Sequence, residues 1–292
     1  MKQGSGRWKL LAAAMIWGCA FSAQSAGTEY IGPWTFNCIR GLIGALTLYV
    51  SLPFLDRMRG IPAPAAGEKR YLFKAGTACG CVLTAASMLQ QAGIAGSTAG
   101  KAGFLTSLYI LFVPFLSVFL GRKITKRLWL AVLTALAGLY FLSVSGKASF
   151  SAYDLLLIGC GLLFAIHIIL IDRFSAADSV RLSCLQFLLM GILCMAPMCI
   201  LERPSAENIL GALPALLYTG ICSCGIAYTL QIAGQKNTDP SEAGILLSLE
   251  SVFAALSGFI ILHQTMTPRE LSGCVLMFAA VILTVTSQTA EQ

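Results

Sequence analysis

Roughly ten stretches of about 18 to 22 mostly apolar residues, separated by short polar connectors, fill the chain from Trp8 to Ser287. A bilayer has a hydrocarbon core about 30 Å thick, and a helix needs about 20 apolar residues to cross it. Only 11% of the residues are charged, whereas a soluble domain carries about 25%. The pattern therefore predicts an all-α integral membrane protein with ten transmembrane helices.

The predicted spans have short polar connectors between them, and the longest polar stretch, Asp56–Lys74, is too short for a soluble domain. The basic N-terminus is similar to a signal peptide but lacks a convincing small-residue cleavage site, so we expect it to remain as the first helix. The predicted spans cover residues 8–26, 34–55, 72–92, 98–120, 127–145, 154–172, 181–200, 209–233, 241–262 and 269–288.

The basic residues predict the orientation of these spans. Cytoplasmic connectors of membrane proteins are enriched in Lys and Arg. An N-terminus on the cytoplasmic side places 15 of the 20 basic residues in the cytoplasm and three outside (Lys147, Arg203 and Arg269), with Arg40 and Lys101 inside spans. We therefore expect a multi-pass protein of the cell inner (plasma) membrane with both termini cytoplasmic.

Composition argues against several other classes of protein. The net charge of +7 does not indicate a nucleic-acid partner, because the basic residues lie at helix ends and form no patch. All 11 cysteines fall within predicted spans, where thiols behave as small apolar groups. Cys79 and Cys81 point about 200° apart on a helix, as do Cys222 and Cys224. We expect no metal site, no cofactor and no disulfide framework.

An internal repeat is the strongest functional signal in the residues themselves. A shift of 141 residues aligns Gln90–Phe112 with Gln231–Phe253, and nine of these 23 positions are then identical. Two halves of five spans each have opposite orientation in the membrane. Such inverted repeats are typical of secondary transporters, which bind their substrate between the repeats near the bilayer midplane.

Several short motifs resemble the drug/metabolite transporter superfamily, above all its EamA-domain branch of bacterial ten-helix carriers. They are Trp17-Gly18-x-x-Phe21, Pro33-x-x-Phe36 followed by Arg40, the run Ala99–Thr106, and Ser248-Leu249-Glu250. The resemblance covers nearly the whole chain. It implies one EamA-type repeat over residues 8–145 (helices 1–5), a second over 154–288 (helices 6–10), a central cavity and alternating access.

The chain departs from that family pattern at three places. The Leu-Gly-Glu element usual after helices 4 and 9 reads Leu120-Gly121-Arg122 and Leu262-His263-Gln264, and the proline usual after Glu250 is Ser251. We therefore expect helix 9 to be less kinked than is usual, because proline is a common cause of kinks.

Ionisable residues inside the spans are the first candidates for the transport site, because each is costly to bury in a membrane. Glu250, near the middle of helix 9, is predicted to contact a substrate ammonium or carry a proton; the alternative is a structural acid satisfied by neighbouring helices. The repeat pairs it with Tyr109 in helix 4. Arg40 is predicted to bind a carboxylate or phosphate, to pair with Glu250 as a gate, or to hold backbone carbonyls.

The remaining candidates each carry a structural alternative. Lys101 near the end of helix 4 binds substrate or extends to the surface. Glu242, its counterpart in the repeat, is expected to cap its helix. His167 titrates or is a packing residue. Trp17 stacks on a substrate cation or aromatic ring, or it contacts lipid or the core. Gln186 and Gln231 bind substrate or join helices.

These features predict a secondary active transporter that exports small organic metabolites such as amino acids or related compounds. The expected partners are a small-molecule substrate and the lipid bilayer, with proton coupling through the cavity and a monomer or weak homodimer as the assembly. The alternatives are a lipophilic-cation or drug exporter and a nucleotide-sugar-type carrier of the same superfamily. An enzyme is not expected, because the two histidines, His167 and His263, lie far apart without acidic companions.

Overall fold

The computed structural model describes residues 2–60, 64–97, 99–143, 151–261 and 267–288, and all regular structure in these ranges is helical. The segment Leu262-His263-Gln264, which stands in place of the usual Leu-Gly-Glu element, lies outside these ranges. The helices are α1 (Lys2–Gly27), α2 (Pro33–Arg59), α3 (Ala66–Ile94), α4 (Ala99–Thr106), α5 (Tyr109–Phe119), α6 (Lys126–Ser143), α7 (Ala152–Arg173), α8 (Ser179–Pro197), α9 (Ala206–Gly211), α10 (Leu213–Leu217), α11 (Tyr228–Gln235), α12 (Pro240–Leu247), α13 (Glu250–Ile261) and α14 (Pro268–Gln288). π-Helical turns extend α8 over Met198–Glu202 and join α10 to α11 over Tyr218–Ala227.

Contacts between helix ends show that the long helices run alternately in opposite directions. At the end of the bundle where α1 begins, hereafter the proximal end, Arg122 after α5 pairs with Asp172 near the end of α7 and with Asp239 before α12. At the opposite, distal end, Glu202 accepts hydrogen bonds from the backbone N–H groups of Trp34 and Thr35, at 2.9 and 2.7 Å. Glu202 thereby satisfies free N–H groups of the first turn of α2.

The outer surface of the bundle is strongly apolar. Large side chains such as Phe54, Phe73 and Phe119 are 67–75% exposed, as lipid-facing residues of a membrane helix are. Eight helical stretches among the described residues are long and apolar enough to cross a membrane. The prediction of an all-α membrane fold is confirmed.

The count of ten helices stays a prediction, because two predicted spans are not among these eight stretches. Residues 127–145 correspond to α6, whose description ends at Ser143, and residues 241–262 correspond to α12 and α13.

Small residues let the helix backbones approach closely. A Cβ atom on Gly138 in α6 would lie 2.9 Å from the carbonyl oxygen of Gly273 in α14, and one on Gly18 in α1 would lie 2.6 Å from the Cβ of Phe253 in α13. Membrane helices lack a strong hydrophobic drive to associate, so such close packing supplies much of their attraction. A larger residue at either glycine would push two helices apart.

Two of the bundle's elements are interrupted near their middle. The chain leaves the helix at Ser107 and Leu108 between α4 and α5, and again at Ser248 and Leu249 between α12 and α13. This interruption of helix 9 forms without a proline at position 251, and the expectation that helix 9 is less kinked than is usual stays a prediction. Short i to i+3 backbone bonds, such as Ser251 N–H to the Ser248 carbonyl at 3.2 Å, replace the regular helical pattern at the turn.

Candidate functional site

A cavity lies between the interrupted helices and the middle of α1, α2 and α11, with about 510 Å³ of space free of protein atoms, including the part open to the outside. Small-molecule sites are typically concave and mostly apolar, with a few polar groups at fixed positions. The wall contains apolar side chains from α1 and α7 and a small set of polar ones. Five of the predicted site residues line it: Trp17, Arg40, Tyr109, Gln231 and Glu250.

The two interruptions place Tyr109 and Glu250 against each other at the cavity wall. Each residue is the first of the second half-helix, Tyr109 in α5 and Glu250 in α13, and the two positions are 141 residues apart. The Tyr109 hydroxyl donates to a Glu250 carboxylate oxygen at 3.0 Å. A carboxylate at the start of a helix is favoured by the positive end of the helix dipole, so the break itself helps to hold a charge there.

Glu250 is only 5% exposed, and its carboxylate accepts hydrogen bonds from hydroxyl groups. Besides Tyr109, the Ser107 hydroxyl lies 3.4 Å from the same carboxylate oxygen, and Ser107 also lies 3.2 Å from the Ser251 hydroxyl. Among the described residues, Glu250 has no basic side chain within ion-pair distance. The negative charge at the cavity wall is therefore not neutralised by these parts of the protein.

Arg40 also is held by uncharged groups. It is 5% exposed; its Nε donates to the Asn37 side-chain oxygen at 2.9 Å and its Nη1 to that of Gln24 at 3.1 Å. The guanidinium carbon lies 5.4 Å from the centre of the Phe36 ring. Neither the predicted gate pair with Glu250 nor a pin to backbone carbonyls is formed by Arg40 in the described ranges. The amide groups instead fix its direction and leave its charge uncompensated.

Trp17 and Gln231 complete one side of the wall. The Trp17 ring meets the Tyr228 ring edge-on, with the ring centres 4.7 Å apart. The indole nitrogen of Trp17 and the side-chain oxygen of Gln231 have no hydrogen-bond partner among the described residues. Buried polar groups are normally hydrogen-bonded, so this buried donor and this buried acceptor are exceptions among the described residues.

Three predicted site residues do not line the cavity. Lys101 forms an ion pair with Asp154 at 2.6 Å near the distal end. His167 and Gln186 are both fully buried, and the His167 Nε2 lies 3.0 Å from the Gln186 side-chain oxygen. Their pair sits behind Tyr228, whose ring centre is 6.0 Å from that of His167. Glu242 does not cap its helix, since Asp239 does so, and it pairs instead with Arg7.

The cavity wall also contains residues that the sequence analysis did not single out. Gln24, Tyr228 and Ser223 all line it. Gln24 follows Trp17 by seven residues and Tyr228 precedes Gln231 by three, so each shares a helix face with a predicted residue. That spacing was the available signal. Ser223 belongs to the π-helical turn before α11, which an apolar sequence pattern does not reveal.

Comparison with known proteins agrees with this architecture. The model of the EamA-like transporter family matches residues 4–144 and 151–286. The chain belongs to the EamA-like transporter family. An uncharacterized transporter of Archaeoglobus fulgidus is 31% identical over 272 residues, which is 92% of this chain and 82% of the relative. The threonine/homoserine exporter RhtA of Escherichia coli K12 is 28% identical over 159 residues, 53% of this chain and 52% of RhtA.

A protein of known crystal structure shares the fold of this EamA-family chain, with a TM-score of 0.79 and 17% identity over 99% of both chains. The family resemblance stated from the motifs is thus confirmed. The chain is a multi-pass membrane protein of a transporter family, which implies a small-molecule substrate and contact with lipid. The prediction that it is not an enzyme agrees with relatives that are transporters.

Proposed function

We propose that this EamA-family transporter exports amino acids or closely related zwitterionic metabolites by alternating access. The observation that carries the proposal is the presence of Arg40 and Glu250 on one cavity wall, each held by uncharged groups in the described ranges. An amino acid offers a carboxylate to the guanidinium and an ammonium to the carboxylate. Buried charges are normally paired, and a zwitterion supplies both partners at once.

The proposed direction of transport and the proposed kind of amino acid rest on similarity to a relative. RhtA of Escherichia coli is named a threonine/homoserine exporter, and both of those substrates carry a hydroxyl group. Two lining residues, Trp17 and Gln231, have a buried donor and a buried acceptor without a hydrogen-bond partner among the described residues. These two groups suit a substrate hydroxyl, so small hydroxy amino acids are the first substrates to test.

The alternatives fit this cavity less well. A lipophilic cation would be repelled by Arg40 unless Glu250 offset that charge. A nucleotide-sugar carries two phosphates, and Arg40 is the one basic side chain among the described residues of the lining. Phosphate recognition normally uses several basic groups or bidentate arginines. The zwitterion therefore matches the observed pair of charges best.

Glu250 has a second role under this proposal. A buried carboxylate that has no basic partner in the described part of the chain can take up a proton in one state of the cycle and bind an ammonium in another. We infer that export is coupled to proton entry through Glu250. The Tyr109 and Ser107 hydroxyls, at 3.0 and 3.4 Å, would then stabilise whichever form the carboxyl group holds.

The deciding experiment measures uptake into proteoliposomes, with and without a pH gradient, of threonine, homoserine, putrescine and tetraphenylphosphonium. Arg40→Gln should reduce transport of the amino acids about 30-fold or more, because losing one partner of a buried ionic contact costs about 2–5 kcal/mol. It should spare or increase transport of tetraphenylphosphonium. Arg173→Gln, at an exposed position at the end of α7, is the matched control.

Equal loss of all substrates in Arg40→Gln would show that Arg40 stabilises the bundle and does not contact the substrate.

The proposed orientation of the protein in the membrane has its own test. A reporter fused after Gln292 should give a cytoplasmic signal, since 15 basic residues are assigned to that side and three to the other. A periplasmic signal would contradict the assignment of an even number of spans.

A further inference from the structure

Two ion pairs near opposite ends of the bundle are alike in joining a basic residue of the first half of the chain to an acidic residue of the second half. At the distal end, Lys101 in α4 pairs with Asp154 in α7 at 2.6 Å. At the proximal end, Arg7 in α1 pairs with Glu242 in α12 at 2.5 Å. In both pairs the basic residue lies in the first matched family segment, residues 4–144, and the acidic residue in the second, residues 151–286. Each pair therefore joins the two halves of the chain.

The predicted repeat relates the two pairs to each other. The offset of 141 residues that aligns Tyr109 with Glu250 also aligns Lys101 with Glu242. Arg7 and Asp154 each lie near the start of a matched segment, at residues 4 and 151, but their separation does not follow that offset. In the couple of Lys101 and Glu242 the charge is reversed, so that a basic residue of the first half corresponds to an acidic residue of the second.

Both carboxylates are deeply buried. The side chains of Asp154 and Glu242 are 0% and 1% exposed, whereas those of Lys101 and Arg7 are 26% and 19% exposed. Removing one member of a buried pair leaves an uncompensated charge in a poorly solvated place. These two contacts are therefore much more consequential than a surface ion pair such as Arg59–Asp178, whose side chains are 33% and 18% exposed.

Each pair is connected to the cavity through one short helix. Lys101 lies at one end of α4 and Thr106, a residue of the cavity wall, is the last residue of that helix. Glu242 likewise lies near the start of α12, whose last residue, Leu247, lines the cavity. Eight helical residues span about 12 Å. A displacement of either half-helix therefore moves an ion pair and the cavity wall together.

We propose that the two ion pairs are the positioning contacts that close the transport path, Lys101–Asp154 at the distal end and Arg7–Glu242 at the proximal end. Opening the path toward one end separates the pair at that end while the other pair stays formed. Both pairs are formed in the described state. The proposal goes beyond the proposed substrate, because it concerns how any substrate gains access and depends on neither Arg40 nor Glu250.

The test is hydrogen–deuterium exchange of the purified full-length protein in lipid nanodiscs, without substrate. Lys101→Met should speed exchange of the distal amides of α4 and α7 by about tenfold or more and slow exchange of the proximal amides of α1 and α12. Arg7→Met should do the opposite. The matched control, Arg59→Met, removes a more exposed charge at the proximal end and should change neither region.

Charge reversal distinguishes a gate from a general structural role. The double variant Lys101→Asp with Asp154→Lys should restore both the wild-type exchange pattern and transport of whichever substrate the wild type carries. If Lys101→Met and Arg7→Met speed exchange at both ends alike, the pairs are structural and the proposal is overturned. Failure of the charge-reversed double variant to fold would overturn it as well. If the exchange pattern shifts as expected while no amino acid is transported, only the proposed substrate class fails.

Discussion

The interrupted helices α4–α5 and α12–α13 share a two-residue break in the helical backbone, but the residues that follow the two breaks differ in chemistry. Both break two residues before a cavity-lining position, at Ser107–Leu108 and at Ser248–Leu249. In the first the half-helix then starts with Tyr109, and in the second it starts with Glu250. The two side chains meet at 3.0 Å. The difference shows how two similarly interrupted helices can hold a single charge, with the tyrosine as the partner that stabilises it.

Among the expected effects on transport, removing the charge of the Glu250 carboxylate should have the largest. Glu250→Gln keeps the shape of the side chain and removes its charge, so both ammonium binding and proton coupling should be lost. We expect transport to fall about 30-fold or more, since loss of a buried ionic contact costs about 2–5 kcal/mol. The measurement is uptake into proteoliposomes at equal protein content, with Glu207→Gln at an exposed position of α9 as the control. Absence of the variant from the membrane would favour a structural role.

Tyr109→Phe tests the residue that follows the break between α4 and α5. The substitution removes the hydroxyl that donates to Glu250 at 3.0 Å and leaves the ring in place. Hydrogen bonds to charged groups contribute about 1.5–3 kcal/mol, so we expect at least a tenfold loss of transport and a shift in its pH dependence. An unchanged pH profile would mean that Tyr109 does not act on the carboxylate.

The serines of the two breaks offer a smaller and sharper comparison. Ser107 lies 3.4 Å from the Glu250 carboxylate, whereas Ser248 donates to the Ile245 carbonyl of its own helix at 2.8 Å. Ser107→Ala should lower transport about threefold, because a hydrogen bond as long as 3.4 Å is weak and contributes on the order of 0.5–1 kcal/mol. Ser248→Ala should affect thermal stability and leave the pH profile unchanged. Identical effects on transport would show that the two breaks are equivalent in function.

The smallest effect is expected from Ser251→Pro, which introduces the residue usual in the family at this place. Position 251 is the second residue of α13, where a proline is well tolerated because it lies in the first helical turn. The substitution removes one weak backbone hydrogen bond, Ser251 N–H to the Ser248 carbonyl at 3.2 Å, and the Ser251 hydroxyl that lies 3.2 Å from the Ser107 hydroxyl. The melting temperature should change by only a few degrees. A loss of folded protein would show that the break needs the serine.

Much of the site could be predicted because the relevant patterns are local or repeated. Five of the eight predicted site residues line the cavity, and the offset of 141 residues correctly brought Tyr109 and Glu250 together. One partner of Arg40 could not be predicted. Asn37 precedes Arg40 by three residues in α2, so helical spacing alone brings it near the guanidinium. Gln24 is an ordinary polar residue of an apolar span, and only the packing of α1 against α2 brings its amide within 3.1 Å of Arg40.

The sequence alone determined the class of this protein, its all-α membrane fold and the family to which it belongs. The class and the fold follow from the length and spacing of apolar stretches, which each segment carries within itself. The family follows from short motifs such as Trp17-Gly18-x-x-Phe21. The tertiary structure decided which charges meet. Lys101 and Asp154 are 53 residues apart in the chain, and Arg7 and Glu242 are 235 apart. Long-range pairing of this kind depends on how the helices pack, and hydropathy says nothing about which polar residues face each other across a bundle.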